Sequence, residues 1–269
     1  MESEDRMGGI LKLTRAAALA CLSLAPFCSR AIAQDYAKPL EENSLEQRRI
    51  KWGVENDFSS GHVWRGLVVS DQPVVQPDAW ISVSGFTFEV WGNLTLSNTS
   101  EGTRPRVTEL TLTYERDWKK LTIEPALETS FYRDPLAVEA STSTEASLKL
   151  SYPVGPVRVF TMHSFDVLAK GAYFGETGIA CERQISKRAS FEAALHAGWA
   201  SSKFNDAYVG VSKPAFNFIG VEGSFHYYVR PHLYFEPHFG FSTITDGRLR
   251  GALLKPPFFT FGLATGVNF

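Results

Sequence analysis

No run of eighteen apolar residues occurs anywhere in the chain, and that lack excludes a membrane-spanning helix. Cysteine is scarce too: of three, Cys21 and Cys28 lie within the first 33 residues. If those residues are removed, the remaining chain is expected to fold without an intramolecular disulfide. Neither sign of charge prevails. A formal net charge of −2 over 269 residues gives no electrostatic reason to expect nucleic acid as a partner. A chain of this kind that resides in a membrane must do so as a closed β-barrel, the other structure that satisfies every backbone polar group internally.

The N-terminus carries an export pattern. Lys12 and Arg15 precede the apolar run Ala16 to Phe27, which is too short to span a bilayer, and the small-residue site Ala31-Ile32-Ala33 follows. Residues 1–33 are therefore expected to be a signal peptide and 34–49, charged and poor in apolar side chains, a short periplasmic leader. The remainder, 50–269, is expected to be the barrel.

The end of the chain states the pattern most clearly. Phe259, Phe261, Leu263, Thr265, Val267 and Phe269 alternate with Thr260, Gly262, Ala264, Gly266 and Asn268. A period of two is a strand signal, and large apolar side chains on one face with small or polar ones on the other is the division a transmembrane barrel makes between lipid and lumen. The final Phe, with apolar residues at every second position before it, resembles the C-terminal signature by which bacterial outer-membrane barrels are recognised for assembly. Outer-membrane lipid and, through Phe269, the barrel assembly machinery are the partners this implies.

Twelve such segments recur from Ile50 onward, each about as long as a tilted strand needs to cross the hydrocarbon. They cover roughly 50–58, 75–84, 86–96, 107–117, 120–131, 144–152, 157–167, 172–185, 189–200, 215–229, 232–244 and 258–269. Their connections alternate in length. Tight turns fall at Ser84-Gly85, Asp117 to Lys119, Pro153 to Pro156, Ser186 to Arg188 and Arg230 to His232, and mostly longer loops fall between. The fold class predicted is all-β: an antiparallel transmembrane β-barrel of about twelve strands with both termini periplasmic, in the outer membrane of a Gram-negative bacterium. In the seventh segment the faces stay open, because Phe160 and Met162 compete with Val157, Val159 and Phe165 for the lipid side.

One stretch carries a family resemblance. Asp57-Phe58-Ser59-Ser60-Gly61-His62-Val63-Trp64-Arg65-Gly66, then Ser70-Asp71-Gln72-Pro73, Gln76-Pro77, Gly85-Phe86 and Trp91-Gly92, resembles the opening of the TorF family of porins. The Arg-Gly step with the following Gln and Trp-Gly is its most specific part. The resemblance covers about forty residues and implies an outer-membrane barrel of porin type, in a family whose substrates are mostly not assigned.

The polar face is rich in acid. Pore-lining positions expected from the alternation are Glu55, Glu89, Glu109, Glu124, Glu128, Glu182, Glu192, Glu222 and Glu236, with Arg158 as one of few bases and His196, His226 and His238 on neighbouring strands. Pairing across the Arg230-Pro231-His232 turn sets His226 against Glu236 and Ser224 opposite His238. A His–Glu pair in a polar lumen serves more often as a structural hydrogen bond than as a ligand set, so no metal and no cofactor is expected. Small residues at Gly178, Ala194, Gly220, Gly240, Gly262, Ala264 and Gly266 place the open side of the lumen along the C-terminal half.

The function expected is passive diffusion of small polar solutes, with cations favoured by the uncompensated carboxylates. Two alternatives stand beside it. An outer-membrane lipid hydrolase needs a Ser and His in reach of each other, and only Ser60 with His62 and His163 with Ser164 are close in sequence. A filled barrel without conductance is the other.

Overall fold

The structure, a computed structural model, describes residues 50–96, 106–133, 141–167, 171–253 and 257–269. The expected signal peptide and leader lie outside the described residues, as do most of the loops near 97–105 and 134–140. No helix among the described residues is long and apolar enough to cross a membrane.

Among the described residues fifteen strands form: β1 (Lys51–Ser59), β2 (His62–Trp64), β3 (Leu67–Ser70), β4 (Val74–Val83), β5 (Phe86–Thr95), β6 (Arg106–Tyr114), β7 (Arg116–Trp118), β8 (Leu121–Arg133), β9 (Ser141–Val154), β10 (Val157–Asp166), β11 (Tyr173–Ser186), β12 (Ala189–Ala200), β13 (Ala215–Arg230), β14 (Leu233–Ile244) and β15 (Phe258–Asn268). Among the described residues two short helices sit in loops, α1 (Ser202–Val209) and α2 (Gly247–Ala252). All but β2 and β3 join one antiparallel sheet, which the pairings of β1 with β15 and of β6 with β8 close into a barrel. The short β7 continues β6 along β8, so the wall has twelve staves. Closure leaves no unpaired edge.

The alternation in sequence becomes two faces because successive side chains in a strand point to opposite sides. Trp52, Val54 and Phe58 on β1, Phe86, Phe88 and Val90 on β5, and Phe259, Phe261 and Leu263 on β15 are exposed, and so are their counterparts around the wall. A soluble sheet would bury them; here they form a continuous apolar outer band, with aromatics such as Trp52, Trp118, Tyr152 and Phe269 toward its edge. Cys181 lies on the outward face of β11.

The register of β10 resolves the open question in the seventh segment. Phe160 pairs with Gly178 and Met162 with Glu176, which sets both inward with Arg158, while Val157, Val159 and Phe165 face out. Phe160 fits inside because its neighbour is glycine: a Cβ on Gly178 would lie 2.6 Å from the ring.

The two rims differ as the connection lengths require. At one rim the turns are tight, with Ser84, Gly85, Lys119, Gly155 and His232 at positive φ. The chain ends meet there, where Trp52 and Phe269 exchange backbone hydrogen bonds of 3.1 and 2.9 Å and stack with ring centroids 4.6 Å apart. At the other rim, α1 begins at Ser201, whose hydroxyl accepts from the Phe204 amide, and ends at Gly210 in the left-handed region. Helix α2 is capped by Asp246, which accepts from the amides of Arg248 and Leu249 and also holds Lys213 of the neighbouring loop at 2.5 Å. That lysine bond holds the Asp246 carboxyl below its ordinary range.

Candidate functional site: the lumen and the hairpin across it

The hairpin β2–β3 belongs to the first long connection, and it folds into the barrel rather than away from it. Its two-residue turn, Arg65-Gly66, has both residues at positive φ, as a tight hairpin turn of the primed type requires. The tip is seated against the inner wall. A Cβ on Gly66 would lie 2.5 Å from Cβ of Phe218 on β13, so only glycine fits there. Arg65 reaches β9, where its two terminal nitrogens donate to the two carboxylate oxygens of Glu145 at 3.1 and 2.5 Å. Both side chains are only 10% exposed, and the guanidinium also lies over the rings of Trp64 (4.4 Å) and Phe174 (4.6 Å). Such a bidentate, stacked site suits arginine and not lysine.

Around this tip the barrel has its main apolar core among the described residues. Leu67 from the hairpin, Phe174, Phe218 and Ile244 from the wall, Phe204 from α1 and Leu249 from α2 are all buried, with Trp64 and Tyr208 packed against them. At the hairpin's base, the Gln76 amide donates to Nδ1 of His62 at 3.0 Å and to Asn93 at 3.1 Å. Burial pushes the His62 imidazole down to about 4 against the opposing pull of Asp57.

Below the hairpin the wall is acidic. Each of the three expected histidines meets a carboxylate: His196 Nδ1 with Glu176 at 3.0 Å, His226 Nδ1 with Glu236 at 2.8 Å, and His238 Nε2 with Asp57 at 2.8 Å. Pairing also sets Ser224 opposite His238. Lys149 lies 3.4 Å from Glu124, Tyr234 donates to Glu55 at 2.6 Å, and Ser130 donates to Glu109 at 3.1 Å. Arg158 faces in and lies 3.4 Å from the hydroxyls of Thr122 and Ser151. Glu89, Glu109, Glu128 and Glu55 line the wall from β1 to β8, and Glu182, Glu192 and Glu222 the wall from β11 to β13. Among the described residues no ion pair reaches Glu182, Glu192 or Glu222.

The open space lies along the C-terminal half, where the small residues are concentrated, but three of the glycines are not themselves gaps. Rings from the adjacent strand lie flat over them: His196 over Gly220, His238 over Gly262 and Tyr234 over Gly266, each within 2.5 Å of where a Cβ would stand. Open space remains because these rings lie along the wall instead of projecting from it. Among the described residues, cavities of about 200, 310 and 290 Å³ lie along β11 to β15. The first lies beside the hairpin, lined by His62, Arg65, Gln76, His196, Glu222 and His238. It shares Glu222 and His238 with the second, which shares Glu192, Ser224 and Glu236 with the third. The third extends to Glu182, Ser190, His226 and Tyr228. Together they form a file running from the hairpin toward the rim of tight turns.

The two Ser/His pairs offered by the sequence are not dyads. His163 faces outward, its ring nitrogens engaged by the Tyr173 hydroxyl at 2.8 Å and Thr161 at 3.2 Å, while Ser164 faces inward and is buried. The Ser60 hydroxyl accepts from the Phe261 amide, and His62 is held by Gln76. No group of three metal-ligating side chains occurs among the described residues.

With this geometry in view, solved structures with the same architecture are recognisable. The chain is similar to the NanC porin, with a TM-score of 0.50 and 12% identity over 81% of this chain and 98% of that one. The shared fold is a closed antiparallel β-barrel of twelve strands. Lower likeness extends to the KdgM porin (TM-score 0.43, 11% identity, 81% of this chain and 98% of that one). It extends also to an outer-membrane channel from Pseudomonas putida F1 (TM-score 0.45, 9% identity, 82% and 95%). At these identities the likeness is one of fold. By sequence, no family model matches the chain and no curated protein does.

Proposed function

We propose that the chain is an outer-membrane channel of a Gram-negative bacterium through which small polar solutes diffuse passively, cations in preference to anions. The observation that carries this reading is the file of three adjoining cavities lined by Glu182, Glu192, Glu222 and Glu236. Glu182, Glu192 and Glu222 meet no base among the described residues, and such carboxylates in a confined, partly low-dielectric passage raise the local concentration of cations and lower that of anions. The remaining expected lining residues, Glu55, Glu89, Glu109, Glu124, Glu128, Arg158, His196, His226 and His238, are proposed to shape the same field. The TorF resemblance of the opening stretch and the porin fold support the same class. Long loops outside and tight turns with both termini in the periplasm is the orientation proposed, by analogy with the loop asymmetry of such barrels. Planar-bilayer recording under a salt gradient tests the proposal. A cation-selective reversal potential is expected, moving toward neutrality in a Glu222→Gln, Glu236→Gln variant; an anion-selective potential, or selectivity indifferent to both charges, contradicts it.

A further inference from the structure

We infer that the β2–β3 hairpin is a latched crossbar that sets the size limit of the passage, with Arg65 and Glu145 as its latch. The inference rests on the channel reading above and adds the element that restricts it.

The hairpin springs from between β1 and β4, and its tip contacts β9 through Arg65 and β13 through Gly66. Between β4 and β9 stand β5, β6 and β8, so the hairpin crosses most of the lumen's width. The file of cavities starts on its β11–β15 side. On the opposite side His62 packs against Trp91 with ring centroids 5.5 Å apart, and Gln76 bridges to Asn93. Solute is thereby routed along one wall of a wider barrel.

What makes the crossbar a latch is how it is attached. β2 and β3 form a separate two-stranded sheet with no ladder to the wall. A hairpin of this length has little stability of its own, so beyond its covalent links to β1 and β4 it is held by packing against the wall and by side-chain bonds. Its apolar seat is nonspecific, whereas the bidentate Arg65–Glu145 pair is directional. The wall also needs this cation. Glu128 stands directly opposite Glu145 in register, and without Arg65 two like charges face each other.

The test uses the processed protein in micelles and planar bilayers, as wild type, Arg65→Ala, the isosteric Glu145→Gln, and the reversed pair Arg65→Glu with Glu145→Arg. A heat-modifiable gel band confirms that each barrel is folded. Two readouts are taken: single-channel conductance, and hydrogen exchange of amides 62–70, which reports hairpin position whether or not current flows. Expected in both single variants are amide exchange faster by about tenfold or more and conductance raised about twofold, with both moved back toward wild type in the reversed pair. Unchanged exchange in Arg65→Ala and Glu145→Gln overturns the latch while leaving the channel standing. Faster exchange with unchanged conductance overturns the crossbar as the size limit. Absence of current from every protein, wild type included, overturns the channel reading and the size limit with it.

Discussion

Gly220 and Gly262 decide where two imidazoles lie, and so how wide the passage is. A Cβ at either would stand 2.4 Å from Nε2 of its overlying histidine. Replacing Gly220 by Val should lift His196 off the wall, strain its bond to Glu176 and push the ring into the first cavity. We expect a stability loss of about 1–3 kcal/mol, read as a lower urea midpoint, together with reduced conductance. Substituting Ala at Gly247, where a Cβ meets nothing, is the control and should change neither. His62 gives a pH-dependent prediction. Its folded value of about 4 lies below the ordinary 6.5, so docking of the hairpin favours the neutral ring. Stability from that source is complete above about pH 6.5 and is lost as pH falls toward 4, because the released ring binds the proton first. Protection factors of amides 62–70, that is, exchange relative to the pH-dependent intrinsic rate, should fall over that window as pH is lowered in wild type and stay flat in His62→Gln. Protection that ignores pH in wild type would remove the histidine from the account. These residue-scale features were only partly legible beforehand. Alternation told which face His196, His238 and Glu222 take, but not which ring folds over which glycine, since that depends on the neighbouring strand's register.

At the scale of single elements, β15 carries the plainest prediction. Phe269 contributes both backbone hydrogen bonds of the closing pair with Trp52 and stacks between Trp52 and His232 at 4.6 and 4.5 Å. Deleting it, or replacing it with Lys, should remove about 2–4 kcal/mol from the seam and cut outer-membrane levels about tenfold or more. Immunoblots of fractionated membranes check this, and normal levels of the truncated chain would mean the ending is dispensable. The twelve wall strands could be read from the sequence because a transmembrane stave imposes length and alternation together. β2, β3 and α2 could not. Three- and four-residue strands carry too few residues for periodicity, and the Trp64-Arg65-Gly66 turn points inward only because Phe218, Phe174 and Glu145 from distant staves supply its seat. α1 had a local signal in Ser201 and Gly210 that a search for caps would have found.

For the whole molecule the two rims are the testable feature. In intact cells, cysteines placed in the connections 201–214 and 245–257 should react with an impermeant thiol reagent, and one at Ser84 or Pro231 should not. Labelling of the tight-turn rim with the membrane intact would reverse the proposed orientation. The global shape was legible in outline, because loop asymmetry and an unbroken outer apolar face leave few alternatives to a closed barrel. Its internal partition was not. Nothing in the local pattern separates a barrel that is open across its full width from one crossed by its own first loop, because the difference lies in contacts between residues such as Arg65 and Glu145, far apart in the chain.

The seam between β1 and β15 also has a consequence in time. Gly53 pairs with Asn268 and Ser59 with Gly262, so the first stave waits for the last residues of the chain before it has a second neighbour. Until then the chain carries two open sheet edges, each able to pair with another chain. Closure spans nearly the whole sequence, which makes it an entropically expensive contact and therefore a late and slow one. A barrel closed this way cannot complete its fold until its last stave is available, and until then those two edges stand open.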